Sequence, residues 1–299
     1  MVYVATLISN PADALLSRDL LIAARSVLPE AGEPHILEPE VAADIPFDPQ
    51  LGADPRLLAD TVRAALGDAP IDVVVQLAAG RRKRLFIADM DSTMIGQECI
   101  DELADVVGIK AHVAEITERA MRGEIAFEPA LRERVGLLKG LATDVVKDVL
   151  AERIRLTPGG PILVATMKAH GAYAALVSGG FTLFTGPVAA MIGFDENRAN
   201  ILDVEDGKLT GRVVEPILGR EAKTATLIEL RDRLHLAPSE TMAVGDGAND
   251  LGMLGEAGIG VAYHAKPKVA EAAHARIDHG DLTALLYMQG YTHEEIRQG

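Results

Sequence analysis

At 299 residues the chain exceeds what one core usually organises, which favours two domains or one large domain with an insertion. Hydrophobic residues at 48% are ordinary for a globular protein, but with no tryptophan and 4% aromatics the cores must be built from Ala, Val, Ile and Leu, as in helices packed on a parallel sheet. The net charge of −15 argues against nucleic acid and anionic membranes as partners, while leaving room for a small anion in a local basic pocket.

Residues 2–8 read as a strand, and Ala12–Val27 as an amphipathic helix after the turn signal Asn10-Pro11. A Pro/Gly/acidic stretch from Pro29 to Pro55 leaves room for a short strand at His35–Leu37. Pro55–Leu66 reads as a helix and Ile71–Leu77 as an apolar, β-branched strand, so residues 1–80 are expected to form a small α+β domain. The run Arg81-Arg82-Lys83-Arg84 reads as a solvated junction, because a nucleic-acid patch would be longer and interleaved with aromatics.

A second domain is expected over 81–299. Leu85–Ala88 is a fully apolar strand running straight into Asp89. Amphipathic patterns at Gln97–Val107, Ala111–Arg122, Phe127–Lys139 and Ala142–Arg153 form a small helical bundle inserted at about 95–157. Helices and strands then alternate: helix Gly160–His170, strand Tyr173–Val177, helix Phe181–Ile192, and a hairpin of Ala199–Val204 with Lys208–Val213 turning at Asp206-Gly207. Helix Glu221–Leu234, strand Thr241–Val244, helix Asp250–Gly255, strand Ile259–Val261, helix Pro267–Ala273 and a final helix near Leu282–Met288 complete the chain. That order predicts a doubly wound α/β domain on a parallel sheet. No stretch approaches the length of a membrane-spanning helix, the N-terminus lacks a signal-peptide pattern, and Cys99 has no disulfide partner, so a soluble cytoplasmic protein is expected.

Three polar motifs each follow a buried strand: Asp89 and Asp91 after Leu85–Ala88, Ser178-Gly179-Gly180 after Tyr173–Val177, and Asp246-Gly247-Ala248-Asn249-Asp250 after Thr241–Gly245. Ligands bind at the carboxyl ends of strands in open parallel sheets, so the three motifs share one site by topology. A carboxylate that attacks phosphorus forms an acyl phosphate, splitting one hard displacement into two easier ones, and Asp89 is the candidate nucleophile. The leaving alkoxide needs a proton and the later hydrolysis needs a base, two tasks one carboxyl performs in turn; Asp91 is the candidate. Four carboxylates beside a phosphate dianion require a cation, and oxygen-only ligation without histidine or cysteine points to Mg²⁺ rather than zinc. Ser178 with its glycines offers a hydroxyl and backbone N–H groups to an anion at a helix N-terminus, and Lys223 offers a point charge to the transferring phosphoryl group. Each motif alone is commonplace; their combination in this order is specific. Cys99 reads as a buried small hydrophobe rather than a nucleophile.

These residues are also the ordered motifs of the haloacid dehalogenase superfamily: Asp89-x-Asp91-x-Thr93, Ser178, Lys223 and Gly245-Asp246-Gly247-x-Asn249-Asp250. Within it the chain resembles the phosphoserine phosphatase family from about Leu85 to the C-terminus, including Asp89–Ile95, Glu98 and the pattern Phe127-Glu128-x-x-Leu131-x-x-Arg134-Val135. The resemblance implies a Rossmann-like core under a helical-bundle cap. It implies Mg²⁺ held by the Asp89 carboxylate, the Asp91 backbone carbonyl and Asp246, with Asp250 supporting the metal shell. It places Ser178, Gly179 and Lys223 on the phosphate with Asn249 nearby, gives Glu98 and Arg134 the substrate's ammonium and carboxylate, and has Phe127 help shut the site. An arginine suits a bidentate grip on a carboxylate. The N-terminal unit resembles ACT-like domains, which bind amino acids or mediate dimers, so a homodimer through this unit is a possible assembly. The implied reaction is hydrolysis of O-phospho-L-serine to L-serine and phosphate, which would make this the final step of phosphorylated serine biosynthesis. The alternatives are a phosphatase or phosphotransferase for another small phosphomonoester, and an amino-acid-sensing protein with a vestigial core.

Overall fold

The computed structural model describes residues 2–49, 52–121 and 124–296. The first quarter of the chain builds a four-stranded antiparallel sheet from β1 (Tyr3–Ser9), β2 (His35–Glu38), β3 (Ala42–Phe47) and β4 (Ile71–Leu77), in the order β2-β3-β1-β4. Helices α1 (Arg18–Ser26) and α2 (Pro55–Leu66) cover one face, where Leu7, Ile45, Val62, Val73 and Val75 are buried together. Two expectations change. Helix α1 starts at Arg18 rather than Ala12, because Ser17 caps it by accepting from the Leu20 amide and the Leu16 amide is drawn away to the Glu40 carbonyl. Strand β3 was hidden in the Pro/Gly/acidic stretch; the alternation of Ala43, Ile45 and Phe47 toward the helices defines it, and Pro46 is tolerated with its carbonyl accepting from Gly32.

Strand β5 (Leu85–Ala88) starts the second sheet. The inserted helices follow: α3 (Cys99–Val106), α4 (Lys110–Met121), α5 (Phe127–Gly136) and α6 (Asp144–Glu152). The expected helical end at Arg122 lies outside the described residues. Then come α7 (Gly160–Ala169), β6 (Tyr173–Phe181), α8 (Thr182–Ile192), β7 (Glu196–Glu205), β8 (Lys208–Val214), α9 (Arg220–Arg233), β9 (Thr241–Gly245), α10 (Leu251–Glu256), β10 (Ile259–Tyr263), α11 (Pro267–Ala272), β11 (Ala275–Ile277) and α12 (Ala284–Tyr287). The sheet runs β11-β10-β9-β5-β6-β7-β8, parallel except for the β7–β8 hairpin. Strand β7 is longer than its hairpin half, since Glu196–Arg198 pair in parallel with Ala175–Val177. Strand β11 was not expected; three residues are too few to show a pattern. The chain runs outward from β5 to β8 on one side and returns to β9 on the other, so the switch in strand order falls at β5.

Two short connections join the insertion to the core, and they lie side by side. Ile95 pairs with Leu156, the Gly96 amide donates to the Arg155 carbonyl (3.1 Å), and the Thr157 amide donates to Met94 (3.0 Å). The far end of the insertion is held as well: Gly140 donates to Leu209, Leu209 to Leu141 and Thr143 to Gly207, all at 2.8–2.9 Å, stitching the α5–α6 connection to the β7–β8 turn.

The two sheets are not independent. Ile8, Leu37, Val41 and Val74, on the small sheet's other face, belong to the same buried cluster as Leu286, Tyr287 and Met288. The buried Asp72 carboxylate accepts the amides of Asp278 (2.7 Å), His279 (3.2 Å) and Gly280 (2.7 Å). The basic run is likewise structural, correcting the solvated junction expected for it. Arg81 pairs with buried Asp44 at 2.5 Å, Arg82 with Glu295 at 2.7 Å, and buried Lys83 donates to the carbonyls of Gly80 (3.0 Å) and Ser239 (2.8 Å).

Candidate active site

The four buried residues of β5 carry the chain to Asp89, which is itself only 4% exposed at the strand's carboxyl end. A tight turn follows, in which Ser92 adopts a left-handed φ of +54° and the Ile95 amide returns to the Met90 carbonyl. That conformation is unfavourable for a residue with a side chain. It allows Ser92 Oγ to donate to Glu98 Oε1 at 2.7 Å, which places Glu98 above the turn at the start of α3. Asp91 accepts from the Cys99 amide at 3.3 Å, and Cys99 is buried.

Strand β6 delivers Ser178, whose Oγ accepts from the Gly180 amide at 2.8 Å. The strand continues through Phe181, so Ser178 and its glycines end a strand rather than begin a helix, which changes the helix N-terminus expected there. A methyl group on Gly180 would sit 3.0 Å from Ser178 Oγ and 3.2 Å from Asp91 Oδ2, which shows how closely these two oxygens crowd the strand end. Buried Asn200, which sequence reasoning missed, donates from Nδ2 to the Gly179 carbonyl (2.8 Å) and accepts the Leu218 amide (2.7 Å). It ties the Ser178 loop to the segment entering α9, but no motif marks an asparagine inside a strand.

Helix α9 carries Lys223, 2% exposed, with Nζ 2.7 Å from both Asp89 Oδ1 and Asp250 Oδ1. Asp250 also accepts the Gly247 amide at 3.0 Å, so both of its oxygens are engaged within the protein. It fits only because Gly245 lacks a side chain: a methyl there would fall 2.4 Å from the Asp250 carboxyl carbon. Asp246 follows β9 and receives a 3.4 Å hydrogen bond from Thr93 Oγ1, while Asn249 stands exposed at the rim of the same turn.

Four carboxyl groups therefore face one ammonium. Burial, reinforced by Asp250, raises the Asp89 pKa well above its ordinary value, with Lys223 pulling the other way. Burial works against the Lys223 charge, but Asp89 and Asp250 outweigh it and raise its pKa. Burial, with Glu98 adding, pushes the Asp91 carboxyl up to about 7; burial, Asp250 and Glu98 lift Asp246 to about 6. The excess negative charge asks for a cation. Asp89, Asp246 and Asp250 each present an oxygen within 4.8 Å of the others, and an all-oxygen set suits Mg²⁺.

The insertion roofs this pocket. Phe127, at the start of α5 and 41% exposed, lays its ring against Gly179 at the end of β6 and Gly219 at the start of α9: a methyl on either would stand 3.7 Å from it. Two turns further along α5, Arg134 lies close enough to Glu98 and Asp101 to feel both charges. The structure thus brings Asp89, Asp91, Ser178, Gly179, Lys223, Asp246 and Asp250 together on the core, with Glu98, Phe127 and Arg134 above them on the cap and Asn249 at the rim.

A parallel sheet with acidic groups and a buried lysine at its switch point, roofed by an inserted helical cap, defines a capped phosphate-ester hydrolase. The chain belongs to the haloacid dehalogenase-like hydrolases, whose family model matches residues 86–255. It is 49% identical over 208 residues to a phosphoserine phosphatase of Polaromonas sp. strain JS666, covering 68% of this chain and 88% of that one. A HAD family hydrolase from Salmonella enterica serovar Typhi superposes with a TM-score of 0.84 at 28% identity, over 97% of this chain and 99% of the other. A structure described as a phospho-aspartyl intermediate analogue of phosphoserine phosphatase gives a TM-score of 0.64 at 39% identity, over 69% of this chain and 98% of that one.

Proposed function

We infer that this protein hydrolyses O-phospho-L-serine to L-serine and phosphate, the last step of the phosphorylated route to serine. The observation that carries this reading is the pairing of a core pocket built around Asp89 and Lys223 with a cap that holds Glu98 and Arg134 over it. A carboxylate and a guanidinium above a phosphate pocket match the ammonium and carboxylate of an amino-acid phosphate.

In the reaction, an Asp89 carboxylate oxygen attacks phosphorus while the bond from phosphorus to the serine oxygen breaks. Asp91 gives its proton to that oxygen, and serine leaves. Asp91, now a carboxylate, takes a proton from water as the water attacks the aspartyl phosphate, releasing phosphate and restoring both residues. Lys223 holds Asp89 in place and favours its ionised form against the burial that raises its pKa, and Ser178 with the Gly179 backbone receives phosphoryl oxygens; Asn249 lies beside them. The Asp89 carboxylate, the Asp91 carbonyl and Asp246 would hold Mg²⁺, with Asp250 fixing Lys223 and the turn beneath. Bound there, Mg²⁺ would offset negative charge on the phosphoryl oxygens.

We divide the chain into an ACT-like domain, 1–80, and a phosphatase domain, 81–299, with the cap at about 95–157. A homodimer through the N-terminal domain would use its helices or its open β2 edge, because the other sheet face packs on the core. No helix among the described residues is long and apolar enough to cross a membrane. The buried, unpaired Cys99 suits a reducing cytoplasm.

Purified protein should release phosphate from O-phospho-L-serine, lose that activity to EDTA and regain it with Mg²⁺. Asp89→Asn should abolish turnover without unfolding the protein. Saturation by sugar phosphates with no turnover of phosphoserine would overturn the substrate assignment.

A further inference from the structure

Among the described residues, no carboxylate accepts a hydrogen bond from Arg134. Its Nε donates to the Ala130 carbonyl of its own helix (3.3 Å), and its Nη1 donates to Thr117 Oγ1 on α4 (3.3 Å). Glu98 and Asp101 act on the guanidinium through space, but among the described residues Thr117 is the only side chain that accepts a hydrogen bond from it. Thr117 has one hydroxyl proton, and it is committed: Oγ1 donates to the Val113 carbonyl at 3.0 Å, one turn back along α4. Toward Arg134 the hydroxyl is therefore an acceptor and nothing else.

The chemical consequence is selective. A guanidinium has five N–H groups. Two are engaged here by neutral oxygens, which fix the plane of the fork, and three remain for an incoming anion. Had an aspartate occupied position 117, it would have oriented Arg134 equally well but cancelled the charge that a carboxylate ligand needs. A hydroxyl whose own proton is tied to the backbone orients without neutralising.

We propose that Thr117 is a positioning residue for substrate specificity, aiming Arg134 so that phosphomonoesters bearing a carboxylate are preferred over those without one. This rests on the assignment of Arg134 to the substrate carboxylate. Thr117→Val keeps the side chain's shape and removes the acceptor. Its KM for O-phospho-L-serine should rise about ten- to a hundredfold, the loss of one hydrogen bond to a charged group, with kcat changed less than about twofold. kcat/KM for O-phosphoethanolamine, which has no carboxylate, should stay unchanged, and Thr117→Ser should restore the parent KM. Arg134→Ala, measured on the same two substrates, separates the two claims. If Arg134→Ala raises KM for phosphoserine alone while Thr117→Val leaves it unchanged or weakens both substrates equally, the role of Thr117 is refuted and that of Arg134 stands. If Arg134→Ala weakens both substrates alike, the assignment of Arg134 falls and the role of Thr117 with it.

Discussion

In the proposed mechanism Asp91 is the residue on which the chemistry turns, because its carboxyl would act as an acid first and a base afterwards. With burial and Glu98 pushing it up to about 7, it is mostly protonated below neutral pH, where the serine oxygen needs a proton. The acid form predominates below about 7 and is lost above it, so kcat/KM for phosphoserine should decline on the alkaline side of a pH profile run with saturating Mg²⁺. Asp91→Asn should lower kcat/KM for phosphoserine by about 10²–10⁴-fold, but should cost kcat/KM for p-nitrophenyl phosphate, a far better leaving group, less than about tenfold. Equal losses on both substrates would show that Asp91 does not supply the leaving-group proton. At this scale the sequence was informative where a polar residue directly followed an apolar strand. Asp89, Ser178 and Asp246 could be brought to one place from topology alone, and Lys223 joined them through its charge. Asn200, Ser92 and Thr117 could not be found that way. Their partners are Gly179, Glu98 and Arg134, and each bond depends on a backbone geometry that no spacing encodes.

Among the elements, the β7–β8 hairpin does more than close the sheet edge. Its turn holds the α5–α6 connection by three backbone hydrogen bonds, and Gly211 lies against Gly136 and Lys139. Gly211 has φ +82°, and a methyl on it would fall 2.9 Å from Lys139 Cβ. Gly211→Ala should therefore both strain β8 and push the cap away, with a loss of roughly 1–2 kcal/mol from the left-handed backbone alone. Denaturant titration should report that loss, and hydrogen exchange at the Gly140, Leu209 and Thr143 amides should accelerate in the same variant. Unchanged exchange at those amides would mean that the hairpin does not restrain the cap. The strong apolar strands and the long helices were legible because their periods are plain. Strand β3 was masked by Pro46 and nearby acidic residues, and β11 by its brevity. The early start expected for α1 failed because a serine cap and a single amide bond to Glu40 outcompeted an otherwise helical pattern.

At the scale of the whole molecule, the N-terminal domain is bolted to the catalytic one by buried polar groups rather than tethered by a linker. Asp72→Ala would leave the amides of Asp278, His279 and Gly280 without their acceptor, at about 1–3 kcal/mol for each donor left buried and unpaired. Calorimetry should show one cooperative transition for the parent protein and a split or markedly lowered transition for the variant; no change would mean that the nest carries no load between the domains. This docking was hidden in the sequence, where Asp72 lies inside an apolar strand and the four basic residues at 81–84 resemble a solvated joint. Charge patterning shows that such residues need partners but not that the partners lie some two hundred positions away. The paired connections at Ile95 and Leu156 have a different kind of consequence. An insertion whose two ends emerge side by side can be lengthened, trimmed or exchanged while the strand order beneath it stays intact. On the proposed assignment, the parts that would read an amino acid and those that would break a phosphate bond are thus separable in inheritance, and a descendant could acquire a new substrate by rewriting the roof while keeping the hearth.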